Sequence, residues 1–218
     1  VVMMVYELLS LNVGRPAQMP GQKREVISAI NKAPVQERIY LSKVNFKGDE
    51  QADLVHHGGE DKAVCVYSYD HYPYWESILA VKLAYGAFGE NLTVQGMRET
   101  DICIGDIFQL DEAVVQVSQP RQPCHKLAAK HGIADLAVQV QNTGFTGFYF
   151  RVLQEGWVSP QSTLERIQQD PGGVTLEAAN QIMHHDKNNR EGIERILAIP
   201  ALSASWRTTL GKRLNVKS

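Results

Sequence analysis

Gln116-Val-Ser-Gln-Pro-Arg-Gln-Pro-Cys-His-Lys-Leu127 is the stretch on which the reading of this chain turns. A β-branched run gives out at Ser118-Gln119, Pro120 and Pro123 stiffen the backbone between them, and Cys124 stands where a helix is expected to begin. A thiol at a helix start meets partial positive charge from unpaired amides, and Arg121, His125 and Lys126 add to it. That setting favours thiolate, both a nucleophile and a soft-metal ligand. The competing reading, a small buried core residue, is the common fate of a free cysteine and carries equal weight on this local signal.

Outward from this segment the first two-thirds of the chain read as strands. Met3 to Ser10, Val26 to Ile30, Arg38 to Leu41, Ala63 to Tyr67, Ile107 to Leu110, Val114 to Ser118 and Phe148 to Leu153 are short and rich in β-branched or aromatic residues. Asp111-Glu112 is expected to join two of them tightly. Helical stretches are expected at Asp70 to Leu83, Cys124 to His131 and Ile133 to Gln141, the last stopped near Gly144. Many strands with few intervening helices predict a mainly β fold, a barrel or packed sheets. Asp170-Pro-Gly-Gly173 is a candidate linker. Beyond it, Thr175, Asn188 or Asn189, and Ser203 are candidate caps for three short helices.

The 218 residues are 44% hydrophobic and 21% charged, with a formal charge of −2, as in an ordinary globular protein without the basic field that nucleic acid binding uses. No apolar run reaches the length of a membrane span, and no signal peptide is expected. Cys65, Cys103 and Cys124 are odd in number and widely spaced, which points to a reducing compartment, the cytoplasm by default. Without a Cys-x-x-Cys pair or a His-x-x-x-His, a structural zinc site has little support. Cys65 and Cys103 read as packing.

Two glycine-containing loops carry further candidates. In His56-His57-Gly58-Gly59-Glu60-Asp61-Lys62 the glycines let amides approach a ligand, with His57 and Lys62 beside them, a cradle for a phosphate or acidic group, although on the local residues a plain loop is the preferred reading. In Gly86-Ala-Phe-Gly89-Glu90-Asn91-Leu92-Thr93, Asn91 offers donor and acceptor to a heterocycle edge or caps the turn. Arg151, in an apolar strand, is read first as facing solvent on the polar side, with a charged partner or a ligand phosphate as the alternative. His184-His185-Asp186 is assigned to a solvated helix face.

In order, His56-His-Gly-Gly-Glu-Asp-Lys-Ala63, Ala87-Phe-Gly-Glu-Asn-Leu92, Gly105-Asp-Ile-Phe108 and the opening segment resemble the MOSC domain, named for the molybdenum-cofactor sulfurase C-terminal region, in its YiiM-like subgroup. The resemblance runs from near the N-terminus to about residue 165. It implies a MOSC-type β-barrel-like domain over 1–165 and a small three-helix domain over 166–218. It also implies a molybdenum cofactor (molybdopterin) with Cys124 as metal ligand and catalytic centre. Arg121 and Lys126 match the basic residues beside that cysteine, while His57, Gly58, Lys62 and Asn91 fall in loops that border the cofactor. Characterised relatives reduce N-hydroxylated bases and amidoximes, so the implied partners are a small N-hydroxylated substrate and a separate electron-donor protein, since no flavin, haem or iron-sulfur motif is present. Recombinant protein is expected to be isolated empty where the host lacks cofactor. The chain has no cysteine-sulfurase domain, so sulfurase activity is not implied. A non-catalytic carrier of cofactor or sulfur remains open. A cysteine hydrolase using His57 or His125 is disfavoured, because adjacent residues at a helix start do not face each other.

Overall fold

The computed structural model describes residues 3–14, 17–18, 27–28, 32–49, 59–122, 131–132 and 135–215. Its strands are β1 (Val5–Val13), β2 (Ala17–Gln18), β3 (Ile27–Ser28), β4 (Ala33–Pro34), β5 (Ile39–Leu41), β6 (Val64–Ser68), β7 (Leu92–Val94), β8 (Ile107–Leu110), β9 (Ala113–Pro120), β10 (Phe148–Gln154), β11 (Gly156–Val158) and β12 (Thr163–Gln168). Helices are α1 (Tyr72–Leu79), α2 (Leu136–Thr143), α3 (Leu176–His184), α4 (Arg190–Leu197) and α5 (Ala204–Asn215).

Strands β12-β8-β9-β10-β6-β7-β1 hydrogen-bond in that order and β1 returns to β12, closing a seven-stranded barrel. β4 adds to the far end of β1, and β5 pairs with β11 beside it. Among the described strands only β6 and β7 are parallel neighbours. A parallel neighbour requires a long crossover. The chain from Tyr69 to Asn91 supplies it, including α1, and lies outside the barrel.

Alternation sorts the side chains. Val64, Val66, Val115, Val117, Phe148 and Phe150 point into the barrel, where Phe150 packs on Phe108 and Phe148. Leu176, Ala179, Ile193, Trp206 and Leu210 from the C-terminal helices belong to the same continuous core. The barrel and the three-helix unit therefore share one interior.

Several expectations hold locally. Asp111-Glu112 turns with Asp111 at φ 51°, bringing Leu110 opposite Ala113. Thr175, Asn189 and Ser203 each accept a first-turn amide, from Ala178, Gly192 and Trp206. Gly144 stops α2 at φ 76°. Others are corrected. The helix expected over Asp70 to Leu83 is α1 alone, because Pro73 fixes its start and Ala80 turns left-handed at its end. The linker Asp170 to Gly173 is stitched down: the Asp170 amide donates to Asp106 Oδ1 (2.8 Å), and the Ile104 amide to the Val174 carbonyl (3.0 Å). A Cβ on Gly105 would lie 2.3 Å from the Asp170 carboxylate, so the close approach needs glycine there. The last barrel strand also runs past residue 165, with Arg166 opposite Phe108 and Gln168 opposite Ile107. The expected helix Cys124 to His131 lies outside the described residues apart from His131, as does the expected strand Val26 to Ile30 apart from β3. No helix among the described residues is long and apolar enough to cross a membrane.

Candidate functional site

On the outer face of the barrel, Cys65, Tyr149 and Gln119 stand side by side on β6, β10 and β9. Cys65 and Tyr149 alternate with core-facing residues, and the register shift between Val117 and Gln119 turns Gln119 to the same outer side, yet all three are buried. Three elements close over this region. The Ser118 hydroxyl donates to the Asp61 carbonyl, Gln119 Oε1 accepts from the Ser205 hydroxyl (3.0 Å), and Arg121, 8% exposed, donates to the Phe88 carbonyl.

Arg121 is held from both sides, its amide donating to the Gly147 carbonyl (3.0 Å) while its guanidinium reaches the crossover loop. That loop is built by its neighbours. Glu90 is fully buried; its carboxylate accepts the Tyr72 hydroxyl (2.6 Å), the Thr93 hydroxyl (3.1 Å) and the Phe88 amide (3.0 Å). Phe88 stacks on Tyr67 with ring centroids 4.4 Å apart. Glu90 thus fixes the carbonyl that Arg121 uses. Desolvation raises the Tyr72 hydroxyl pKa, with the Glu90 charge adding to it.

Asn91 is fully buried and fully engaged. Its Oδ1 accepts the Cys65 amide (2.9 Å), and its Nδ2 donates to the Asn12 carbonyl (3.2 Å) and to Asp49 Oδ2 (2.8 Å). Both amide hydrogens are spent on the scaffold, leaving none for a ligand edge. Asp49 is itself paired with buried Lys32 at 2.5 Å and accepts the Gly14 amide. Asn91 therefore joins three chain segments, which makes it a positioning residue.

Lys62 is half-buried in the single 3-10 turn Glu60–Lys62, which follows Gly59 at φ 91°. Next to it Asp61 accepts two hydrogen bonds from Arg151, at 2.8 and 3.2 Å, and caps the Ala204 amide at the start of α5 (2.9 Å). Arg151 also reaches Gln116 Oε1 (3.0 Å) and the Ala201 carbonyl (2.6 Å). The solvent-facing reading of Arg151 is corrected: it has a charged partner, Asp61. Of the expected set, His57, Gly58, Cys124 and Lys126 lie outside the described residues; Asn91 and Arg121 both act on Cys65, the first through its amide and the second through its charge, while Lys62 lies in the separate turn beside Asp61.

Cys65 and Cys103 are buried free cysteines, as their reading required. Burial raises the Cys65 thiol, and Arg121 partly offsets this. The sequence reading missed Asn12, Lys32, Asp49, Tyr72 and Glu90. Glu90 stood inside a quoted motif, and an acidic residue between Gly89 and a β-branched strand was the available signal; Lys32 and Asp49 gave none.

His184 is a correction. Expected on a solvated face, its imidazole is half-buried, with Nδ1 at 2.6 Å from Gln141 Nε2. Its Nε2 and the Oδ1 of Asn180, one helical turn earlier, have no partner among the described residues. Helix α3 turns this face toward α2, not toward water. Burial lowers His184 to about 4 from 6.5. The unfolded chain therefore binds a proton at pH 5 that the folded chain does not, and stability falls as pH drops from 6.5 toward 4. Allowing for partial exposure, this group is expected to cost about 1–2 kcal/mol across that window. Urea unfolding at pH 7.5 and 4.5 should show His184→Gln losing less stability than the native chain by that margin; equal losses would remove the assignment.

The MOSC domain family model matches residues 53–165, and the YiiM-like 3-alpha helix domain matches 174–216. The uncharacterized protein YflK of Bacillus subtilis (strain 168) is 53% identical over 208 residues, covering 95% of this chain and 94% of YflK. The crystal structure of YiiM from Geobacillus stearothermophilus superposes with a TM-score of 0.83 at 42% identity, covering 96% of this chain and 99% of that one. A protein named a reductase from Gibberella moniliformis (strain M3125 / FGSC 7600) is 34% identical over 148 residues, which are 66% of this chain and 26% of its own length. A closed barrel stitched to three C-terminal helices, matched along its length by these relatives, makes this chain a member of the MOSC domain family, in the YiiM-like group with a C-terminal three-helix domain.

Proposed function

We propose that this chain holds a molybdenum cofactor through Cys124 and reduces N-hydroxylated compounds with electrons from a separate protein. The observation that carries the reading is Arg121, a guanidinium nine-tenths buried on the outer face of the barrel three residues before Cys124. A buried fixed cation suits an anionic group such as the phosphate of a pterin cofactor. Family membership and the similarity to a protein named a reductase support the same reading.

Cys124 would supply the soft thiolate, with Lys62, Arg121 and Lys126 offsetting the cofactor's negative charge and His57 and Gly58 at its border. When bound, the cofactor supplies two-electron oxygen-atom abstraction chemistry. The overall change balances as N–OH plus two electrons and two protons giving N–H and water. This chain's part is to hold the charge, exclude water and keep Arg121 in place through Glu90 and Phe88.

The test is purification of the full chain from molybdenum-replete cells, followed by metal and pterin analysis and an assay with a chemical reductant and benzamidoxime. Stoichiometric molybdenum with benzamidine formed is expected. Loaded protein that passes its cofactor to an acceptor without turning over any N-hydroxylated compound would replace this reading with that of a carrier.

A further inference from the structure

A cavity of about 300 Å³ opens between the Arg98 to Thr100 turn, the end of α2 and the start of α3. None of Lys62, Asn91 and Arg121 lines it. Its wall holds His71 and Glu99, 5% and 4% exposed, joined by a 2.6 Å bond between His71 Nε2 and Glu99 Oε2. Glu99 is fixed further by the Gly147 amide on its Oε1 (2.9 Å), and its own carbonyl accepts the Glu177 amide (2.9 Å). Phe145 stacks flat on the imidazole at 3.9 Å, and Tyr67 meets it edge-on. The ring is clamped on carboxylate and aromatic sides.

Such a clamp leaves one nitrogen over. Among the described residues Nδ1 of His71 takes no partner, and it is not among the polar atoms sealed from solvent. In the tautomer that donates Nε2–H to Glu99, Nδ1 carries the lone pair and is an acceptor. At the rim, Glu177 has a carboxylate with no partner among the described residues, and Asp70 adds a second, partly exposed one. Among the described lining residues the single arginine or lysine, Arg98, is occupied by Asp101 at 3.2 Å and lies 3.8 Å from Asp70. The cavity therefore offers acceptors and negative charge beside an aromatic wall.

We propose that this cavity is a binding site for a small organic cation rich in N–H donors, of the guanidinium class, oriented by His71 Nδ1 and Glu177. A planar cation would donate to the imidazole and the free carboxylate while its flat face lies near Phe145. A neutral ligand of the same shape forfeits the charge-assisted bonds, and an anion is repelled. The proposal does not depend on the molybdenum reading, because none of the described residues of that site lines the cavity.

The test uses the full-length, metal-free chain and calorimetric titration with phenylguanidine and with phenylurea, its neutral match in shape. Saturable binding of phenylguanidine, with phenylurea at least tenfold weaker, is expected. Glu177→Gln, on the rim, should weaken phenylguanidine at least threefold with an unchanged melting temperature. His71→Gln should weaken it further, and Glu177→Gln keeps the test valid if that variant does not fold. Equal affinity for both probes, no binding of phenylguanidine at 10 mM (a concentration about tenfold above a 1 mM Kd), or an affinity untouched by Glu177→Gln would overturn the proposal.

Discussion

Cys124→Ser is expected to lower the molybdenum content of protein from a cofactor-replete host at least tenfold while leaving the circular dichroism spectrum unchanged. The exchange is nearly isosteric, but a serine hydroxyl stays protonated at neutral pH and is a hard, weak ligand where a thiolate is a soft, charged one. Metal affinity of a thiolate site also draws on deprotonation, which nearby cations favour. Elemental analysis of the two proteins, purified side by side, is the measurement. A serine variant that keeps both its molybdenum and its rate would sink the assignment of Cys124 as metal ligand.

The second large effect is expected at the joint between barrel and helices. Arg151→Met removes four hydrogen bonds and takes the arginine away from Asp61 Oδ1, the Ala201 carbonyl and Gln116 Oε1, while Asp61 Oδ2 keeps the Ala204 amide. Charge-assisted bonds of this kind contribute about 1.5–3 kcal/mol each when intact, and partial exposure of the pair (side chains 19% and 31% exposed) screens the sum. A net loss of about 2–4 kcal/mol is expected by urea unfolding. Arg151→Lys should recover less than half of it, because an ammonium cannot fork to Asp61 and Ala201 together. Hydrogen exchange adds the location: residues 59–66, 116–122 and 200–206 should lose protection together. Loss confined to 200–206 would mean that the helices merely lean on the barrel.

What was legible in the sequence was short-range. Thr175, Asn189 and Ser203 announce their helices because each side chain bonds an amide three residues away, and Gly144 announces a stop because a left-handed residue ends a helix wherever it occurs. The long strands β9 and β10 were readable from β-branched and aromatic runs. By contrast, β7 is three residues long, and β12 carries Glu165, Arg166 and Gln168 with only Leu164 fully buried, so neither has a pattern to read. The quoted motifs marked the right places but not the right roles. Asp106 pins the interdomain turn, Asn91 binds scaffold, and Asp61 caps a helix more than 140 residues away. Partnerships such as Lys32 with Asp49 exist only once the barrel is closed.

Barrel closure sets a timetable as well as a shape. The seam joins Val5 to Glu165, and the interior is completed by Trp206 and Leu210. A ribosome adding about 5–20 residues per second leaves the first strand waiting on the order of ten seconds or more for its partner across the seam, so the edge of β1 that faces β12 stays open for that time although β4 and β7 are made earlier. Contacts so distant along the chain also slow folding after release. The nascent chain thus carries an exposed strand edge until β12 has been made, and any group that depends on the closed barrel can bind only after that point.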